Sequence, residues 1–82
     1  MTIEIMSDWW KEKFPMAENN ELPFWSGVRD NSIPSAELVK IVDLHLEFGD
    51  FSTSSVAQAA AIMLELRELK QLPEPAEVQV SG

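Results

Sequence analysis

Pro34-Ser35-Ala36-Glu37-Leu38-Val39-Lys40-Ile41-Val42-Asp43-Leu44-His45-Leu46-Glu47-Phe48-Gly49 is the stretch on which the fold turns. Leu38, Ile41, Val42, His45 and Leu46 recur at helical spacing. Pro34 suits a first turn, where a missing N–H costs nothing, and Gly49 offers a left-handed stop. The pattern predicts a helix over about residues 34–48. Glu37, Lys40, Asp43 and Glu47 form its polar stripe, while Val39, Leu44 and Phe48 widen the apolar face beyond what one neighbour covers. Contacts on two sides are therefore expected.

Downstream, Ser52-Thr53-Ser54-Ser55 supplies hydroxyl caps for a second helix, predicted over about residues 53–72. It continues through Val56, Ala59, Ala60, Ile62, Met63, Leu66 and Leu69 until Pro73 ends it. Alanines at 57, 59, 60 and 61 leave room for a close helix or for bulky aromatics, with Trp9, Trp10 and Trp25 as the fillers. The two helices make an antiparallel hairpin.

Upstream the side chains are larger and the backbone more broken. Ser7 or Asp8 can cap a short helix over about residues 8–14, halted by Pro15. Adjacent tryptophans on a helix point about 100° apart, so one of Trp9 and Trp10 should be partly exposed. Leu22-Pro23-Phe24-Trp25-Ser26-Gly27 reads as a loop interrupted by proline and glycine. Residues 2–6 and 77–81 alternate apolar with polar, the pattern of half-buried strands that could pair as a minor two-stranded ribbon. The expected fold is mainly α. One helical domain spans residues 1–72, an aromatic-rich segment 1–33 plus the hairpin 34–72, with a tail at 73–82.

Fourteen acids face six bases, a formal net charge of −8 on 82 residues. That balance argues against nucleic acid or an anionic membrane as a direct ligand and favours a basic protein surface. So small a core is modestly stable, which also leaves a homodimer open. The absence of cysteine removes disulfides, thiolate metal sites and cysteine nucleophiles, and suits a reducing compartment. The N-terminal residues lack a basic, long-apolar leader pattern, and the longest apolar run, residues 59–64, is far too short to span a bilayer. A cytoplasmic location is expected.

Few residues carry the pattern of chemistry. His45 is the only histidine and has no second histidine or cysteine to complete a transition-metal site. As a general base it lacks a nucleophile, and Asp43, two residues away, falls on a different face. The serines at 52–55 resemble no nucleophile elbow, and Gly27, Gly49 and Gly82 are too isolated for a phosphate loop. No catalytic residue, metal or cofactor is expected, and the chain reads as non-enzymatic.

Asp43, Glu47 and Asp50 lie at i, i+4 and i+7, an acidic ridge if the helix reaches that far. Helical rise spaces such charges about 5–6 Å apart, against one per ~1.7 Å of duplex DNA, so one helix cannot imitate a nucleic-acid backbone alone. Glu65 and Glu68 on the second helix would have to converge on the same surface. Trp25 and the outward member of the first tryptophan pair, Trp10 or Trp9, are candidate interface anchors.

The run Gly49-Asp50-Phe51-Ser52-Thr53-Ser54-Ser55 leading into Val56, Ala60, Ala61 and Leu64 resembles, over about 20 residues, the glycine, aromatic, serine and helix run of ribbon-helix-helix antitoxins. Those proteins place a basic DNA-reading strand before the first helix; the segment before Pro34 has none, so DNA binding is not implied. In size and acidity the chain is similar to small phage-encoded inhibitors, including anti-CRISPR proteins that occupy nucleic-acid sites on their targets. The expectation is an acidic protein-binding module, plausible as an inhibitor docked on a nucleic-acid-binding surface. The alternative is an accessory subunit or homodimer whose charge serves only solubility.

Overall fold

A computed structural model describes residues 9–75, and these are mainly helical. Helix α1 is Trp9–Lys13 and is followed by a 3-10 turn at Pro15–Glu18. Helix α2 is Pro23–Asp30, α3 is Ser35–Phe48, a second 3-10 turn is Phe51–Thr53, and α4 is Ser55–Glu68. The strand pattern at 2–6 and 77–81 lies outside the described residues, as do Ser7 and Asp8, the expected caps of α1.

The hairpin of α3 and α4 forms as expected, with boundaries moved by a few residues. Pro34 stands just outside α3 in extended geometry, φ −60° and ψ 145°, rather than in its first turn. Its carbonyl takes the first two helical bonds, from Glu37 and Leu38 N–H. At the start of α4, Ser54 Oγ accepts from Ala57 N–H at 3.1 Å, so Ser54 is the cap and residues 51–53 are spent on the 3-10 turn.

The expected end at Pro73 is too late, because α4 stops at Glu68 by the device that also ends α2 and α3. Asn31, Gly49 and Lys70 sit left-handed, at φ 54°, 77° and 64°. Each reverses the chain so that two N–H groups cap the last turn. Ser32 and Asn31 bond Gly27 and Val28, Asp50 and Gly49 bond His45 and Leu46, and Gln71 and Lys70 bond Leu66 and Arg67. Lysine is an unusual occupant of this conformation, having a Cβ that crowds the backbone.

Helix α2 corrects the reading of residues 22–27 as a loop. Pro23 begins the helix, where its fixed φ and missing N–H are harmless. Gly27 sits inside it because Ile33 folds back onto that point: a Cβ there would overlap the Ile33 side chain. Both residues taken for breakers serve the helix.

The core lies between α4 and the aromatic half of the chain. Ala57, Ala59, Ala60 and Met63 are fully buried, and Ala59, Ala60 and Met63 share one cluster with Trp10, Phe14 and Trp25, whose bulk complements the two small alanines. Phe14 bridges the aromatics: its ring centroid is 6.1 Å from Trp9 and 5.7 Å from Trp25, and Phe24 meets Trp25 edge-on at 5.0 Å. Trp9 is the partly exposed member of the first pair. From α3 only Leu38 is fully buried. Ile41, Val42 and His45 reach the core edge, and α3 packs chiefly on α4 and the turn at Phe51–Thr53.

Candidate interaction surface

The outer face of α3 is set by a helical wheel. With about 100° per residue, Leu38, Ile41, Val42 and His45 cluster toward α4, and Asp43, Lys40 and Glu47 fall on the opposite side. Between core and polar stripe lie two apolar flanks, Val39 with Leu46 on one side and Leu44 with Phe48 on the other. These four stay 44%, 58%, 48% and 72% exposed. The second neighbour expected for this helix is not among the described residues, and both flanks face outward.

Asp43 and Glu47 are exposed and have no ion pair or side-chain hydrogen bond among the described residues. Asp50 does not complete the ridge. The helix has ended at Phe48, and the left-handed Gly49 turns the chain away before it. Glu65 and Glu68 are exposed on α4, but they sit at its C-terminal end, beside the start of α3. Glu47 and Asp50 belong to the connecting end, and Asp43 lies about one and a half turns back from it. A helix of 14 residues is about 20 Å long, so the two acidic groups occupy opposite ends of the hairpin and do not converge.

The aromatic anchors are corrected more sharply. Trp25 is 1% and Trp10 5% exposed, so neither presents a ring to a partner in this fold. The alanine-rich face of α4 requires them as filling. Trp9 alone keeps part of its ring outside, on the rim of a cavity of about 190 Å³ lined with Val28, Arg29, Asn31, Leu72 and Pro73. A shallower groove of about 430 Å³ runs along Phe51, Ser52, Gln58, Ala61 and Ile62. The Gln58 amide in its lining donates to the Ser52 and Phe51 carbonyls at 2.8 and 3.3 Å.

Both arginines are turned inward, which composition alone did not signal. Arg29 donates to the Ala17 and Asn20 carbonyls at 2.7 and 2.8 Å, tying α2 to the first 3-10 turn. Arg67 is 4% exposed and gives one nitrogen to Ser35 Oγ at 2.9 Å and another to Asn31 Oδ1 at 2.8 Å, while its Nε has no partner among the described residues. Burial pushes its pKa below the ordinary value, and Glu74 pulls it back up. Glu74 reaches this cation through the Ser35 hydroxyl, which donates to its carboxylate at 3.3 Å, and Asn31 Nδ2 donates to the Pro73 carbonyl at 2.7 Å. Together with buried Leu72, these bonds hold residues 72–74 against the α2–α3 junction. The signal for Arg67 was its position at i+4 from Met63 and i+7 from Ala60, on the core side of α4.

His45 is half-buried, and its Nδ1–H donates to the Ile41 carbonyl one turn back at 2.9 Å. Among the described residues no group of three potential ligands could hold a metal ion, and no helix is long and apolar enough to cross a membrane. Compared with protein families, curated proteins and solved structures, the chain matches none.

Proposed function

We propose that this protein is a non-enzymatic, acidic binding module of the cytoplasm that docks on a positively charged protein surface and blocks it, as an inhibitor of a nucleic-acid-binding protein would. The observation that carries the reading is the inward turn of the arginines. Of fourteen acids, Glu4, Asp8 and Glu77 lie outside the described residues, and the other eleven are all exposed. Of the six bases only Lys11, Lys13, Lys40 and Lys70 are exposed. Folding thus leaves the surface more one-sided than the composition, and such a field steers basic partners by long-range attraction.

The test is to capture host proteins at low salt, identify them by mass spectrometry, and ask whether this chain displaces labelled duplex DNA or RNA from a captured protein. The expected result is displacement that fades as salt rises from about 20 to 150 mM. Asp43→Lys with Glu47→Lys should weaken it further. Captured proteins without a basic nucleic-acid site, or binding indifferent to salt, would overturn the reading. The homodimer is the second reading, favoured by the exposed apolar flanks of α3; sedimentation over a range of concentrations separates the two.

A further inference from the structure

The acidic stripe of α3 is bordered on both sides by apolar residues that no other described residue covers. Val39 with Leu46 and Leu44 with Phe48 stand in adjacent pairs beside its charges at 44–72% exposure, and paired apolar surface rimmed by polar residues is the mark of an interaction site. We infer that α3 docks a cationic amphipathic helix of a partner protein, whose apolar stripe lies on one flank and whose lysines or arginines reach Asp43 and Glu47. This rests on the charge reading above and adds to it the shape and mixed chemistry of the partner.

Charge decides among the possible occupants. A second copy brings to the patch the same Asp43 and Glu47 with only Lys40 to offset them, and a formal −8 of its own. The chain's own segments outside the described residues carry Glu4, Asp8 and Glu77 as their only charged side chains, and none of these complements an acidic stripe. Size agrees with charge. Two flanks of two side chains each offer a few hundred Å², short of the roughly 800 Å² per partner of a stable interface, yet enough for the side of one helix.

The test uses a synthetic leucine–lysine helix of about 18 residues, leucines on one face, and a scrambled peptide of the same composition, titrated calorimetrically into the full chain. The amphipathic peptide should bind at least about tenfold more tightly than the scrambled one. Leu44→Ser with Phe48→Ser should abolish that preference if the helix lies on that flank, and Val39→Ser with Leu46→Ser if it lies on the other. Asp43→Asn with Glu47→Gln should weaken both peptides. Because all six positions are exposed, a cooperative melt with a Tm no lower than that of the parent chain confirms that each variant still folds.

Equal, salt-sensitive binding of the two peptides overturns the apolar part of this inference and leaves the charge reading standing. No binding of either peptide overturns both. A preference that survives both flank variants overturns the assignment to α3. Self-association that Phe48→Ser abolishes makes a second copy the occupant and overturns the inference.

Discussion

Lys70 is where a single residue resists the conformation its neighbours impose. Asn31 and Gly49 tolerate the left-handed region at the ends of α2 and α3, but at the end of α4 a lysine must adopt it, at a cost of about 1 kcal/mol. Lys70→Gly should therefore raise stability by up to about 1 kcal/mol, seen as an increase in Tm, whereas Lys70→Ala should not, since alanine has the same Cβ. The opposite outcome is expected at the Arg67 cluster. Ser35→Ala leaves one guanidinium nitrogen of a buried cation without its acceptor and should cost about 1–3 kcal/mol in denaturant titration. Arg67→Met removes the charge together with its need for partners, and should cost less than Ser35→Ala. Alkali does not relieve this burial within the ordinary range. The lowered pKa still belongs to an arginine, which stays charged, so the cost persists at every pH below its titration.

At the scale of elements, α3 divides cleanly into what the fold needs and what it leaves outside. Leu38→Ala should cost about 2–5 kcal/mol, because the side chain is fully buried against α4. Phe48→Ser, at the most exposed large residue, should change stability by less than about 0.5 kcal/mol. Chemical denaturation of both variants checks the contrast; comparable losses would mean that the outer flank is covered. Ser54→Ala should cost about 1 kcal/mol by removing the oxygen that caps α4.

The hairpin was legible because its periodicity, its serine caps and Gly49 all point the same way. Helix α2 was not. At eight residues it is too short for periodicity to outweigh Pro23 and Gly27, and the reason for Gly27, the return of Ile33, is tertiary. For the candidate surface, the pattern marked the excess apolar width of α3, but it left Trp10 and Trp25 open between filling the alanine face of α4 and anchoring a partner. Their burial in one cluster with Ala59, Ala60 and Met63 of α4 settles where they go.

For the whole molecule, the dominant quantity is repulsion among exposed acids. Eleven described carboxylates share the surface with four lysines, and Asp43 and Glu47 form no ion pair among the described residues. Compaction brings these charges together, so salt should stabilise the fold, with Tm rising between about 10 and 150 mM NaCl as screening shortens their reach. Asp43→Asn with Glu47→Gln should raise Tm at low salt and flatten that dependence. A Tm that falls with salt would show that attraction outweighs repulsion on this surface.

The packing of the aromatics has a spectroscopic consequence. The chain has three tryptophans and no tyrosine, and two of the indoles are sealed among Phe14 and the alanines of α4. Near-ultraviolet emission therefore comes from one end of the core, blue-shifted while the fold is intact and red-shifted when water enters. The outer face of α3 carries no fluorophore of this kind. A ligand settling there leaves the emission wavelength in place, so calorimetry and fluorescence on one sample separate occupancy of α3 from loss of the fold.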